Sequence, residues 1–380
     1  MHFANRLKYI QDELGRIADL IFLPISADLQ YLTGIPRELP NYGAIIYPGG
    51  WLEGMWIVGK GEPILLLTRM RADFHQPDTA GLEVRILGDE SDPIMLLNGL
   101  LRSLKAINKP RMAIGEGLQL ETLIRLQGEF PGAELISASE VLRSHRMIKS
   151  EEEISMMRLA GKISEHAFQD VLVRLQHGMT ELDVLSEVDY QLRRHGSLGS
   201  SFNTAIYCIG PNHPLMFGGQ QKTWKRRLNP PVSILFDFGA ICEGYCYDFG
   251  RTVTFGQPDQ ELHQVHQLVM TSQLAGIGAM RSGCVTAADV DSAARRVIEE
   301  AGLGSAFRHR LGHGIGLDVH EPPFLTKSDQ TLLKEGMLFT VEPSIIFDKR
   351  LSARVEDVVL VGEQGGIPLT NGFQELIVVD

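Results

Sequence analysis

Two histidines seven residues apart, His313 and His320, bracket the glycine-containing run GHGIGLDVH. In a regular strand, residues seven apart point to opposite faces, and Gly314 and Gly316 disfavour a helix interior. If both rings serve one site, an irregular, glycine-permitted backbone must turn them together. Four carboxylates offer them company. The stretch ILFDFGAICEGYCYDFGRTVTF places Asp237 at the end of an apolar strand and Asp248 on a second strand, so that a hairpin sets the two side by side. TVEPSIIF puts Glu342 at the end of another apolar, β-rich run, and SARVEDVVLV puts Glu356 inside an alternating strand. Taken singly, Asp237 could cap a turn and Asp248 could pair with Arg251.

Carboxylates within strands that otherwise read as core are costly to bury unless something neutralises them. Four carboxylates with one imidazole, His313, form an oxygen-rich donor set with a single nitrogen, which suits Mn, Co, Fe or Zn and excludes a thiolate site. Charge balance favours two divalent cations over one. Two ions roughly 3.5 to 4 Å apart clamp a carbonyl oxygen and activate water between them. Amide hydrolysis is the chemistry this predicts.

The elements that must position these residues divide the chain near residue 148. Residues 1–148 alternate helix and strand: Leu7, Ile10, Leu14 and Ile17 at helical spacing, LIFLPI as a buried strand, MWIVGKGEPILLL as a hairpin, and helices flanking RMAIGEG. At Ser150 the sequence SEEE offers a capping box, with Glu153 three residues on. From there helices over about 150–175 and 180–195 precede strands over 203–255. Helices over about 259–282 and 286–302 precede strands over 336–361. The order helix, helix, strands thus occurs twice, a hint of pseudo-symmetry.

Composition bounds the remaining possibilities. At 380 residues the chain exceeds one ordinary core, and 44% hydrophobic with 22% charged residues is a soluble globular balance. No apolar run approaches a membrane span and the N-terminus lacks a signal pattern, so no membrane partner and a cytoplasmic location are expected. The net charge of -11 argues against nucleic acid, and the one basic cluster, Lys222 to Arg227, reads as a solvated loop. A zinc site on Cys242 and Cys246 lacks a second ligand pair nearby; with Cys208 and Cys284 they are expected to be reduced core thiols.

With these motifs assembled, the C-terminal part from about 149 to 380 resembles the M24 metallopeptidases of the pita-bread fold, on the prolidase and aminopeptidase P branch. The resemblance rests on DFG at Asp237, GYxxDFGRT around Asp248, HRLGHGIGLDVHEPP, TVEP at Glu342 and RVED at Glu356. YLTGIP in the N-terminal part looks like the smaller creatinase-type domain of the same branch. What the resemblance implies is an α+β protein, residues 149–380 catalytic, and residues 1–148 an α/β domain that shapes the site and makes oligomer contacts. It further implies ligation of two divalent metals, manganese before cobalt, zinc or iron, by Asp237, Asp248, His313, Glu342 and Glu356. Glu342 would also handle the proton of the attacking water, and His320 would donate to the substrate carbonyl. His309 would line the pocket near the scissile bond, and Arg354 would help organise the site unless it merely pairs with Asp357. The substrate would be a short peptide with proline second, and the assembly a homodimer.

Three positions depart from that family pattern. A histidine usual seventeen residues before the first aspartate falls here on Gln220, and His213 would need a gap to replace it. Ser344 stands where EPG is usual, and Tyr247 where serine is common before the second aspartate. The displaced histidine leaves room for an alternative, hydrolysis of a small non-peptide C–N bond as in creatinase relatives. A third reading is a catalytically silent binding protein on the same scaffold.

Overall fold

The computed structural model describes residues 3–37, 47–75, 82–210, 213–214, 223–347, 350–370, 372 and 374–379. Gln220 lies outside them. The chain separates into two compact units, Met1–Arg146 and Met147–Asp380.

In the first unit, α1 (Phe3–Leu14), β1 (Leu20–Pro24), α2 (Ala27–Thr33), β2 (Gly54–Val58), β3 (Ile64–Thr68), α3 (Arg69–His75) and β4 (Glu83–Leu87) come first. They are followed by α4 (Pro93–Leu100), β5 (Arg111–Ile114), α5 (Leu120–Glu129), β6 (Glu134–Ser137) and α6 (Ala138–Arg146). The sheet order is β4-β3-β2-β1-β5-β6, with the β2–β3 hairpin antiparallel as GKGEP predicts. Ile17 departs from its predicted helix: α1 stops at Leu14 and Ile17 lies exposed beyond it. A buried ion pair, Arg146 to Asp28 at 2.8 Å, ties α6 to α2.

The second unit opens with α7 (Glu151–Leu172), α8 (Glu181–Arg194), β7 (Ala205–Ile209), β8 (Val232–Phe238), β9 (Ile241–Cys242), β10 (Tyr245–Cys246) and β11 (Phe249–Phe255). It continues through α9 (Gln260–Ala279), α10 (Ala287–Glu300), β12 (Gly312–Gly314), β13 (Glu321–Leu325), β14 (Leu338–Val341), β15 (Ser344–Phe347), β16 (Leu351–Leu360), β17 (Ile367–Pro368) and β18 (Ile377–Val379). The two-fold order of helix pair then strands is therefore present. Reciprocal capping boxes start three of the helices, Ser150 with Glu153, Thr180 with Asp183 and Thr286 with Asp289, which satisfies end N–H groups that have no partner within the helix.

The main sheet runs β13-β12-β14-β16-β11-β8-β7, with β15 and β17 also on β16 and β18 on β11. Strand alternation sorts its two faces. Phe236 and Phe238 point away from Asp237 and pack with Phe249 around Phe168 of α7, at centroid distances of 5.3 to 6.3 Å. In the other half, Val269 and Ala294 from α9 and α10 join Phe339, Val341 and Val355 in one core. The sheet is thus anchored by helices on one side, and its polar residues are left to the other. Among the described residues no helix is long and apolar enough to cross a membrane.

Candidate active site

Asp237, Asp248, His313, Glu342 and Glu356 line one cavity of about 460 Å³, together with His309, Arg310, His320, Arg354, Tyr207 and four further residues. All eight residues singled out in the sequence are in that lining. Register explains the convergence. On the sheet, Asp237 of β8 lies opposite Gly250 of β11, and Gly250 lies opposite Glu356 of β16. The row is acid, glycine, acid. A Cβ on Gly250 would meet Glu356 Oε2 at 2.6 Å, so the missing side chain is the space into which the acid extends.

Asp248 is not on a strand as the sequence suggests. A tight hairpin, β9 and β10, turns through Glu243 and Gly244, both at positive φ, and Asp248 follows it just ahead of β11. Neither does it pair with Arg251. That guanidinium runs behind the sheet to Asp357 at 2.7 Å, which also takes Asp357 away from Arg354. Tyr247, the unusual neighbour, is buried and shares a 2.7 Å hydrogen bond with Thr370, which in turn donates to Asp357.

His313 and His320 do meet: their ring centroids are 4.1 Å apart at 69°. The turn is made by a register shift between His313 and Gly314 in the β12–β13 pairing. Gly314 is needed for closeness, since a Cβ there would come 2.6 Å from the carbonyl oxygen of Glu321. His313 Nδ1 lies 3.0 Å from the Gly314 carbonyl oxygen, which can only accept, so the proton sits on Nδ1. The lone pair of Nε2 therefore faces the acids, 3.4 Å from Glu342 Oε1 and 3.7 Å from Asp248 Oδ2. Burial, then His320, holds the imidazole pKa down to about 3, so the ring is neutral. Burial also lowers His320, with Arg310 adding to it, and lowers His309, with Arg354 adding to it.

The acids crowd one another. Burial first, then Asp237 and Glu342, pushes Asp248 well up; burial, then Asp248 and Glu342, does the same to Glu356. Burial raises Glu342 too, against the opposing pull of Arg354. Arg354 is the internal counter-charge: Nη1 is 2.6 Å from Asp237, 3.5 Å from Glu342 and 3.7 Å from Glu356. Its burial works against its charge, but these acids outweigh that and raise its pKa. Arg354 is the one guanidinium among the described residues in ion-pair contact with these acids, too little for four carboxylates, and Asp248 Oδ1 and Glu356 Oε2 are buried with no hydrogen-bond partner. Ligand atoms of Asp248, His313 and Glu356 all lie within 4.8 Å of one another. Unpartnered acid oxygens beside an imidazole lone pair are the donor set of a divalent cation.

Sequence reasoning missed several supporting residues. Thr340 Oγ1 accepts from His313 N at 3.0 Å and donates to Glu342 Oε1 at 3.3 Å. Ser344 Oγ accepts from Arg354 Nε at 2.8 Å. Arg310, one residue after His309 in a motif already singled out, was legible and passed over. His213 is not among the cavity residues: its Nε2 donates to the Arg227 carbonyl at 2.8 Å. Arg226, in the basic cluster, is paired with Glu181 rather than solvated, and Cys284 is exposed rather than core.

A pita-bread scaffold with a buried acid and imidazole cluster defines a metallohydrolase. Residues 155–363 match the model of metallopeptidase family M24, and residues 6–148 match the creatinase/prolidase N-terminal domain. The chain belongs to metallopeptidase family M24. It is 30% identical to an Xaa-Pro dipeptidase of Pyrococcus horikoshii over 82% of this chain and 88% of that one. Its structure is similar to a prolidase from Thermococcus sibiricus (TM-score 0.87, 26% identity, 100% and 99% coverage). An X-Pro aminopeptidase from Thermotoga maritima is similar too (TM-score 0.82, 28% identity, 99% of each chain).

Proposed function

We propose that this metallopeptidase hydrolyses Xaa-Pro peptide bonds, as dipeptidase or aminopeptidase, with two divalent cations held by Asp237, Asp248, His313, Glu342 and Glu356. The observation that carries it is the cluster itself, with two buried acid oxygens lacking partners and an imidazole lone pair turned toward them. Manganese is the first metal to test. Catalysis is assigned to residues 149–380, the assembly to a homodimer, and the location to the cytoplasm, as the sequence leads one to expect.

Bound divalent cations supply Lewis acidity toward a carbonyl oxygen and acidify water. The protein's own groups do the rest. Glu342, which lines the cavity beside His313, takes the proton of the attacking water at Oε1 or Oε2. His320 stands at the cavity beside His313 and donates to the scissile carbonyl oxygen. His309 lines the same cavity next to the departing amine, and Arg354 holds Asp237 in place at 2.6 Å. An Xaa-Pro bond has no N–H, so recognition of the carbonyl side suits it better than a grip on the amide hydrogen.

The test is chelator-sensitive cleavage of Ala-Pro and Ala-Pro-Ala, with Ala-Ala-Ala as the control, read by mass spectrometry on manganese-loaded protein. Survival of all three with bound metal confirmed would overturn the proposal. A second function, hydrolysis of a small non-peptide C–N bond, is favoured by one observation: His213 is turned to the Arg227 carbonyl and away from the cavity lining. Small amides cut while X-Pro peptides are ignored would decide for it.

A further inference from the structure

Glu342 and Glu356 meet at a place where the sheet is interrupted. β14 ends at Val341 and β15 begins at Ser344, and both strands pair with β16. The register is the same on either side, Val341 opposite Asp357 and Ser344 opposite Arg354, so Glu342 falls opposite Glu356 and Pro343 opposite Val355. Arg354 bonds Thr252 on the β11 side through both its N–H and its C=O, so Val355, the next residue, turns its own toward Pro343. Pro343 has no N–H to give, and a rung is missing beside the two acids.

Gln273 of α9 fills the gap from the helix side. Its Nε2 lies 3.3 Å from the Val355 carbonyl oxygen, 3.1 Å from that of Val341 and 2.9 Å from Asp357 Oδ2. All three are acceptors, so the amide nitrogen and not its oxygen faces them. Val341 and Val355 each immediately precede one of the acids, and Asp357 follows Glu356. A buried amide on a helix face that also carries Val269 and Gly276 is costly unless its hydrogen bonds are made, and here one amide joins both strands. We propose that Gln273 is a positioning residue for the metal ligands: it supplies the rung that Pro343 withholds and so sets the spacing of Glu342 and Glu356. The inference rests on the assignment of these two acids as ligands, and it places a determinant of metal affinity on a helix residue outside the cavity lining.

The experiment titrates manganese alone into metal-free wild type, Gln273→Met, Pro343→Ala and the double variant, with free manganese read by electron paramagnetic resonance. Gln273→Met, similar in size but without a donor, is expected to weaken binding by about 10- to 100-fold. Pro343→Ala returns a backbone N–H to the gap, so Gln273→Met made in that background should cost only about threefold. Ile298→Val and Ile298→Ala, buried on α10 and outside the cavity lining, lower the melting temperature by a different route and should keep wild-type affinity. Equal weakening in an Ile298 variant that melts as low as Gln273→Met shows a merely structural role and overturns the proposal. So does the same fold-loss from Gln273→Met with and without Pro343→Ala. Should Gln273→Met not fold, Gln273→Asn carries the comparison, since its shorter amide cannot span both carbonyls, and wild-type affinity in it overturns the proposal. Wild type that binds no manganese removes the ligand assignment itself, and the inference with it.

Discussion

Arg354 grips Ser344 and Asp237 with two different nitrogens: Nε donates to Ser344 Oγ at 2.8 Å, and Nη1 to Asp237 Oδ2 at 2.6 Å. Ser344 lies opposite Arg354 in the β15–β16 pairing, so register delivers the hydroxyl to the guanidinium. The serine that departs from the family's usual glycine is thereby a support for the arginine that counters the acids. Ser344→Gly should lower kcat/KM about three- to tenfold while leaving the thermal midpoint within a few degrees, because one hydrogen bond to a charged group is lost and no cavity opens. Steady-state kinetics with melting curves check this. Unchanged kinetics would mean that Asp237 alone fixes the guanidinium.

Glu356 sits where burial, Asp248 and Glu342 all disfavour its charge. A carboxylate whose folded pKa is raised contributes stability that is present below its unfolded value and lost as pH rises above it. Metal-free protein should therefore weaken as pH climbs from about 4 toward neutrality, and metal should reverse this. Glu356→Gln removes one of the mutually repelling charges. Its metal-free form should be more stable than metal-free wild type at pH 7, by about 1–3 kcal/mol, and should gain far less from added manganese. Scanning calorimetry with and without chelator measures both; a less stable metal-free variant would sink this account.

The four acidic ligand candidates were legible because acids in apolar, strand-like runs are anomalous in any sequence, whatever the fold. The helix starts were legible for a similar reason, since Ser150, Thr180 and Thr286 each precede an acid at the reciprocal position. What was hidden is long-range register. That Asp237, Gly250 and Glu356 share one row needs, besides the local pairing of β8 with β11, the pairing of β11 with β16, whose partners Gly250 and Glu356 lie over a hundred residues apart, and no local pattern encodes that second pairing. The placement of Asp248 was misjudged because CEGYC forms its own hairpin and interrupts the expected strand. The role of Gly314 was half visible: the sequence says that the backbone is irregular, but only the fold shows the Glu321 carbonyl against which a side chain would collide.

Lys149 and Glu321 form a buried pair at 3.2 Å, with side chains only 3% and 7% exposed. Glu321 follows His320 and accepts from Asp318 N at 3.0 Å, so the pair pins the loop that carries the proposed carbonyl donor. Lys149→Met should cost about 3 kcal/mol, because it removes the ammonium from a buried carboxylate, and it should lower kcat as His320 loses its support. Pairing it with Glu321→Gln should recover a good part of the stability. Denaturant unfolding of the two singles and the double gives the coupling, and strict additivity would argue against a direct pair.

His266 gives the acid side of the stability profile from a place unconnected with the metal ligands. It is buried on α9, and burial first, then Arg251 and His263, holds its pKa down to about 4 from an ordinary value of 6.5. The folded state therefore refuses a proton that the unfolded chain accepts. Its contribution is complete above 6.5 and is withdrawn as pH falls toward 4, by about 3 kcal/mol over that window. His266→Gln cannot take up the proton, so its stability curve should be flatter than wild type between those limits, even if its neutral-pH stability is lower. Urea midpoints at half-unit pH steps in chelator decide the matter, and parallel curves for the two proteins would place the acid sensitivity elsewhere.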